Sequence, residues 1–160
     1  LAGMLKYSRV RTKHFAAEEF ALADALAETV ALLNIPAGFS VEVPKTSVVL
    51  RTPRAPLEQV LRNLIDNAIK HHNFDHGKVA IEVTTMADKV AIRVADDGPG
   101  IAPEYQDRIF EMFKKLERRD VVDGDGIGLA LVKRIVGAHG GTIRVDSAEG
   151  LGAKFCFTWP

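Results

Sequence analysis

Asp96-Asp97-Gly98-Pro99-Gly100-Ile101 is the stretch whose reading decides the fold of this chain. Just before it, residues 89–95 (Lys-Val-Ala-Ile-Arg-Val-Ala) alternate polar and apolar side chains and include β-branched Val and Ile, which predicts a strand. The strand runs directly into an acid and then two glycines flanking a proline. Gly98 and Gly100 allow a tight turn and a close backbone approach to a ligand, because neither carries a Cβ. Asp96 stands at the strand end, where its carboxylate can point into whatever lies over the turn. An ionised carboxylate only accepts hydrogen bonds, so its natural partner is a donor such as an exocyclic amine. Taken alone, the same residues also make an ordinary turn after an edge strand.

A second glycine run, Gly124-Asp125-Gly126-Ile127-Gly128-Leu129, favours the ligand reading. It opens a segment with apolar residues Leu129, Leu131, Val132, Ile135 and Val136, the spacing of a helix that ends near Ala138. Glycines ahead of a helix expose N–H groups at its positive end, a site for phosphate. One turn offers a carboxylate and the other offers amides, which matches the two ends of a nucleotide.

Composition sets the outer bounds. The 160 residues suit one domain, with 47% apolar side chains and enough material for a core. Lys and Arg total 21, as do Asp and Glu, so there is no bulk electrostatic case for nucleic acid or an anionic membrane. The single Cys156 excludes an intramolecular disulfide and fits a reducing compartment. No apolar run is long enough to span a bilayer and no signal peptide is visible. The chain starts at Leu1, inside an apparent helix over residues 1–10, and reads as a piece of a longer protein. Its expected location is the cytoplasm, with membrane anchoring of the parent left open.

Working outward, Phe20, Leu22, Ala25, Leu26, Val30 and Leu33 predict an amphipathic helix that begins at Phe20. Residues 40–43 and 48–50 read as short strands. Pro53 and Pro56 introduce a helix whose buried stripe is Leu57, Val60, Leu61, Leu64, Ile65 and Ala68. Asn63, Asn67, Lys70 and His71 share another flank of that helix. A carboxamide oxygen suits Mg²⁺ that keeps its waters and bridges phosphates, and lysine is a point charge for a phosphate tail. An exposed face with incidental amides is the competing reading. Residues 78–84 and 89–95 form a hairpin turning near Ala87-Asp88. Pro103 starts a short helix, and residues 111–123, highly charged and weakly periodic, read as a cover. Residues 142–145 and 155–159 are the last strands, with Phe155, Phe157 and Trp159 on one face. His139 precedes a double glycine at a helix end and reads as structural.

These runs, taken together, resemble the motifs of sensor histidine kinases. Residues 63–70 resemble the asparagine box, and Asp96-x-Gly98-x-Gly100 the first glycine box. Phe110 and Phe113 match the phenylalanine box, Gly124-x-Gly126-x-Gly128-Leu129 the second glycine box, and Gly150-x-Gly152-x-x-Phe155 the terminal motif. Their order and spacing agree over residues 20–160. The resemblance is to the catalytic and ATP-binding domain of a two-component histidine kinase, a member of the Bergerat-fold group. It implies an α+β fold, a two-layer α/β sandwich whose mixed, mostly antiparallel sheet is covered by helices on one face. Residues 14–160 would be this domain, and residues 1–13 the end of the second helix of a dimerisation and phosphotransfer domain plus a linker.

The resemblance also implies roles. Asp96 would accept from the adenine 6-amino group. Asn67 would hold Mg²⁺ with support from Asn63, Lys70 would reach the phosphates, and His71 would lie along the base or ribose. Gly98, Gly100 and Ile101 would shape the base pocket, and Gly124, Gly126, Ile127, Gly128 and Leu129 would face the phosphates. Residues 111–123 would be the ATP lid. Cofactors would be ATP and Mg²⁺. Partners would be the phosphotransfer domain of the same parent, which carries the acceptor histidine, and a response regulator. The parent would be a homodimer and the fragment a monomer. The family often has Thr or Ser at the position of Ala153, so a hydroxyl contact there is absent. In related ATPases a glutamate precedes the metal asparagine by four residues. Asn63 stands there and cannot act as a base, which favours phosphoryl transfer over hydrolysis. A non-catalytic nucleotide-binding module that docks to a partner is the alternative.

Overall fold

The computed structural model of the chain describes residues 16–111 and 128–160. Its elements run β1 (Glu18–Ala21), α1 (Leu22–Leu32), β2 (Phe39–Glu42), β3 (Val49–Thr52), α2 (Arg54–Lys70), β4 (Gly77–Thr85), β5 (Val90–Asp96), α3 (Pro103–Gln106), α4 (Gly128–Ala138), β6 (Ile143–Ser147) and β7 (Ala153–Trp159).

Period-two alternation builds the larger sheet, in the order β2-β4-β5-β7-β6. Only the β2–β4 pair is parallel; the other neighbours are antiparallel. One face carries Val79, Ile81, Val90, Ile92, Val94, Phe155, Phe157 and Trp159, all buried. The other face is polar and includes the Arg93–Glu82 ion pair across the β4–β5 ladder. On the apolar face α2 packs on β4 and β5, α4 packs on β7, and α1 packs on α2. The expected stripe of α2, Leu57 through Ala68, is buried throughout. This is the α+β sandwich expected, with the mostly antiparallel sheet covered on one face.

One feature differs from the sequence reading, and one adds detail to it. A second, two-stranded sheet pairs β1 with β3, and Phe20 lies in β1 opposite Leu50 rather than in a helix. Phe20 and Leu22 are two residues apart, so period-two and helical spacing compete here. The strand prevails because Phe20 is buried across from Leu50, under the Arg54 guanidinium at 5.2 Å. His139 also does more than end a helix. Helix α4 closes in a Schellman pattern, Gly141 N to Val136 O at 2.9 Å and Gly140 N to Gly137 O at 3.1 Å. His139 Nδ1 then donates to Ile135 O, and its ring stacks on Trp159 at 4.7 Å.

Trp159 is fully buried, and its Nε1 donates to the buried hydroxyl of Thr52 at 2.8 Å, tying the end of β7 to the smaller sheet. Thr52→Val keeps the shape and removes the acceptor. Leaving a buried donor unsatisfied costs about 1–3 kcal/mol, so urea unfolding should show that loss of stability. An unchanged midpoint would mean that the bond contributes nothing.

Candidate functional site

The C-terminal half of α2, the end of β5 and the start of β7 converge on one cavity. Asn67, Ala68, His71, Asp96, Pro99, Gly100, Ile101, Ala153 and Phe155 line it, and it encloses about 250 Å³, part of it open to solvent. These residues meet because the β5–β7 register sets Asp96 opposite Ala153, while α2 lies over β5.

Backbone donors fix the carboxylate of Asp96. Its Oδ1 accepts from Gly98 N at 2.9 Å and from Ala153 N at 3.3 Å. Two loops have to fold tightly to bring those donors in. Gly100 has φ +74°, and a Cβ there would lie 2.0 Å from Ala148 O. Gly152 has φ +76°, and a Cβ there would lie 2.1 Å from Asp96 O. No L side chain fits either place. Gly98 does not take a positive φ, so of the two glycines read as turn formers only Gly100 turns the chain that way.

Five of the expected site residues therefore come together: Asn67, His71, Asp96, Gly100 and Ile101. Lys70 is not among the lining residues; its Nζ pairs with Asp66 at 2.9 Å on the exposed side of α2. Gly128 and Leu129 begin α4, with Gly128 exposed and, apart from its chain neighbours and its own helix backbone, no atom of the described residues within 4 Å of where its Cβ would be. Gly124, Gly126, Ile127, Phe113 and residues 112–123 of the expected lid lie outside the described residues. Phe110 meets Phe155 edge-on at 6.2 Å, behind the pocket wall.

Asn63 sits one turn before Asn67, and its buried amide nitrogen has no hydrogen-bond partner. An unused buried polar atom beside a carboxamide on the cavity wall fits a polar bound group. Among the described residues no three His, Cys, Asp or Glu gather into a metal site of their own. A hard cation here would draw on amide oxygen, water and ligand phosphates, the usual Mg²⁺ environment.

Sequence reading missed the side chain that holds Asp97, the neighbour of Asp96. His72, just past the end of α2, has a side chain only 3% exposed. Its Nδ1 accepts from Phe74 N at 3.0 Å, so the proton sits on Nε2, which donates to Asp97 Oδ1 at 2.8 Å. The same oxygen accepts from Lys78 N at 2.9 Å. The ring occupies space that a Cβ on Gly77 would need, 2.5 Å from His72 Nε2. The only sequence signal was a second carboxylate after Asp96 and a glycine at the start of β4, and neither names its partner.

Comparison with known proteins places the fold. The sequence profile of the family described as "Histidine kinase-, DNA gyrase B-, and HSP90-like ATPase" matches residues 52–160. The chain belongs to that family. It is 42% identical over 106 residues to the sensor protein RstB of Escherichia coli (strain K12), covering 65% of this chain and 24% of RstB. Full-length ShkA, solved in complex with AMPPNP, superposes with a TM-score of 0.81 at 28% identity, over 99% of this chain and 34% of that one. The histidine kinase ThkA, solved in complex with the response regulator protein TrrA, superposes with a TM-score of 0.71 at 27% identity, over 90% of this chain and 41% of that one. The fold is that of histidine kinase catalytic domains, and the chain spans well under half the length of these relatives.

The Asp97 carboxyl is held below its ordinary value of 3.8, chiefly by the Lys78 N–H and further by His72, against an opposing effect of burial. A depressed folded value stabilises the fold above 3.8, and that contribution is lost as pH falls through the folded value. Asp97→Asn should therefore lose less stability than wild type on acidification below 3.8, measured by urea unfolding at stepped pH. Parallel acid curves for the two proteins would contradict this.

Proposed function

We propose that this domain binds Mg-ATP and donates the γ-phosphoryl group to a histidine of a dimerisation and phosphotransfer domain in the same parent protein. The observation that carries the reading is the Asp96 carboxylate, held by two backbone N–H groups on the wall of the cavity. Asp96 accepts from the adenine 6-amino group. Guanine offers a carbonyl at that place, and two facing acceptors leave a buried group unsatisfied at a cost of about 1–3 kcal/mol. Ile101, Ala153 and Phe155 supply apolar wall, and His71 lies along the base or ribose.

At the other end Asn67, with Asn63 behind it, holds the magnesium, and Lys70 swings from Asp66 to the phosphates. The N-terminus of α4 at Gly128 and Leu129 presents backbone donors to the tail. Magnesium, when bound, neutralises charge on the phosphates. Phosphoryl transfer then needs positioning more than covalent chemistry from the protein. Asn63 offers no general base, which favours transfer over hydrolysis. Residues 1–13, expected as the end of the second helix of a dimerisation and phosphotransfer domain plus a linker, lie outside the described residues. A response regulator downstream, a dimeric parent and a cytoplasmic site complete the assignment. Among the described residues no helix is long and apolar enough to cross a membrane.

The test combines binding and transfer. Calorimetry should show ADP bound and GDP not, with Asp96→Asn weakening ADP by about tenfold or more. Asn67→Ala should remove the magnesium dependence of ATP binding. Labelled ATP, this domain and the separately purified phosphotransfer domain should give phosphohistidine. Adenine-nucleotide affinity untouched by both substitutions would overturn the pocket. ATP binding with no phosphate moved would leave a non-catalytic regulatory module.

A further inference from the structure

We propose that Ser147, braced by Gln106, is a positioning residue that sets the adenine selectivity of Asp96. The inference rests on the nucleotide reading above and concerns residues that none of the five sequence motifs contains. Ser147 ends β6, and its hydroxyl makes two bonds at once. Oγ accepts from Ile101 N at 2.8 Å and donates to Gly152 O at 2.6 Å. Gly152 O and Ala153 N belong to one planar peptide unit. On the far edge of that unit Ala153 N donates to Asp96 Oδ1 at 3.3 Å. A continuous chain of bonds thus runs from the pocket-wall residue Ile101, through one hydroxyl and one peptide, to the carboxylate.

Gln106 holds the other side of the same junction. Its Nε2 donates to Ile101 O at 2.9 Å and to Ser147 O at 2.8 Å. Both partners are carbonyl oxygens, so the amide must present its nitrogen to them. Both backbone groups of Ile101 are therefore held by these two side chains, and Ile101 is 5% exposed. The Gly152 φ of +76° leaves the peptide between Gly152 and Ala153 in a turn that no side chain of its own can steer. Ala153 offers no hydroxyl, so the orientation of its N–H is what this position contributes to Asp96. The hydroxyl of Ser147 holds the carbonyl side of that peptide, opposite the N–H that serves Asp96.

A residue that merely stabilises the fold would weaken all nucleotides alike. A residue that aims Asp96 would change how well the site distinguishes a base with a 6-amino group from one without it. The test compares the affinity of ADP with that of purine riboside 5′-diphosphate, which lacks that amine, by calorimetry on the whole chain. Wild type should prefer ADP. In Ser147→Ala the preference should shrink by about fivefold, the size of one ordinary hydrogen-bond contribution, and Ser147→Thr should restore it. Gln106→Met, which keeps length and removes the donors, should shift the ratio in the same direction. It decides the matter if Ser147→Ala does not fold. A ratio unchanged in the folded variants, including an equal loss of both affinities, overturns the inference. A wild type that shows no preference for ADP overturns the proposed role of Asp96 instead.

Discussion

The site depends on one oxygen. Asp96 Oδ1 accepts from two backbone N–H groups, one in its own turn and one on the facing strand. Hydrogen bonds to an ionised carboxylate are about twice as strong as neutral ones, and they fix direction as well as position. Side chains could not supply those donors without more conformational freedom to lose. Main-chain amides supply them already ordered, because β5 and β7 pair with Asp96 opposite Ala153. The positive-φ glycines follow from this demand. Gly100 and Gly152 let the loops approach within distances that a Cβ would block. The two loops also lean on each other, with Gly150 N donating to Pro99 O at 2.6 Å.

The two ends of the cavity are built to different tolerances. At the carboxylate end the donors to Asp96 are main-chain N–H groups, at 2.9 and 3.3 Å. At the helix end the groups are long side chains. Lys70 pairs with Asp66 at four-residue spacing, with both side chains about half exposed. Such pairs contribute about 0.3–0.5 kcal/mol, so breaking this one would cost little. In the proposed reading this division is useful. The base is read by a rigid surface, while the phosphate end must adapt to a group that changes during transfer.

The fold was largely legible because its signals are periodic. The stripe of α2 and the alternation of β4, β5 and β7 each specify one face, and burial follows them residue by residue. Phe20 was misread where two periods overlap within three residues, and only pairing with Leu50 decides between them. Asn67, His71, Asp96, Gly100 and Ile101, which line one cavity, lie in short local motifs, so their grouping could be read locally. The supports around them could not. His72 reaches Asp97 across 25 positions, and Ser147 reaches Ile101 across 46. A single serine in a strand, or a histidine after a helix, carries no local pattern that names so distant a partner.

Strand β7 explains why core and site are hard to separate. Its inward residues run Trp159, Phe157, Phe155 and Ala153, and that one row passes from the deepest packing to the cavity wall. Trp159 and Phe157 are fully buried and anchor the row by area. Phe155 then has one side on Phe110 and the other on the cavity, and Ala153 ends the row where the backbone donates to Asp96. Side-chain size falls toward the site, which leaves room for a ligand at the end where the strand offers an amide. A shift of the strand by one residue would reverse every one of these side chains and withdraw the amide as well. The apolar packing that holds β7 in register is thus the same force that keeps the carboxylate aimed.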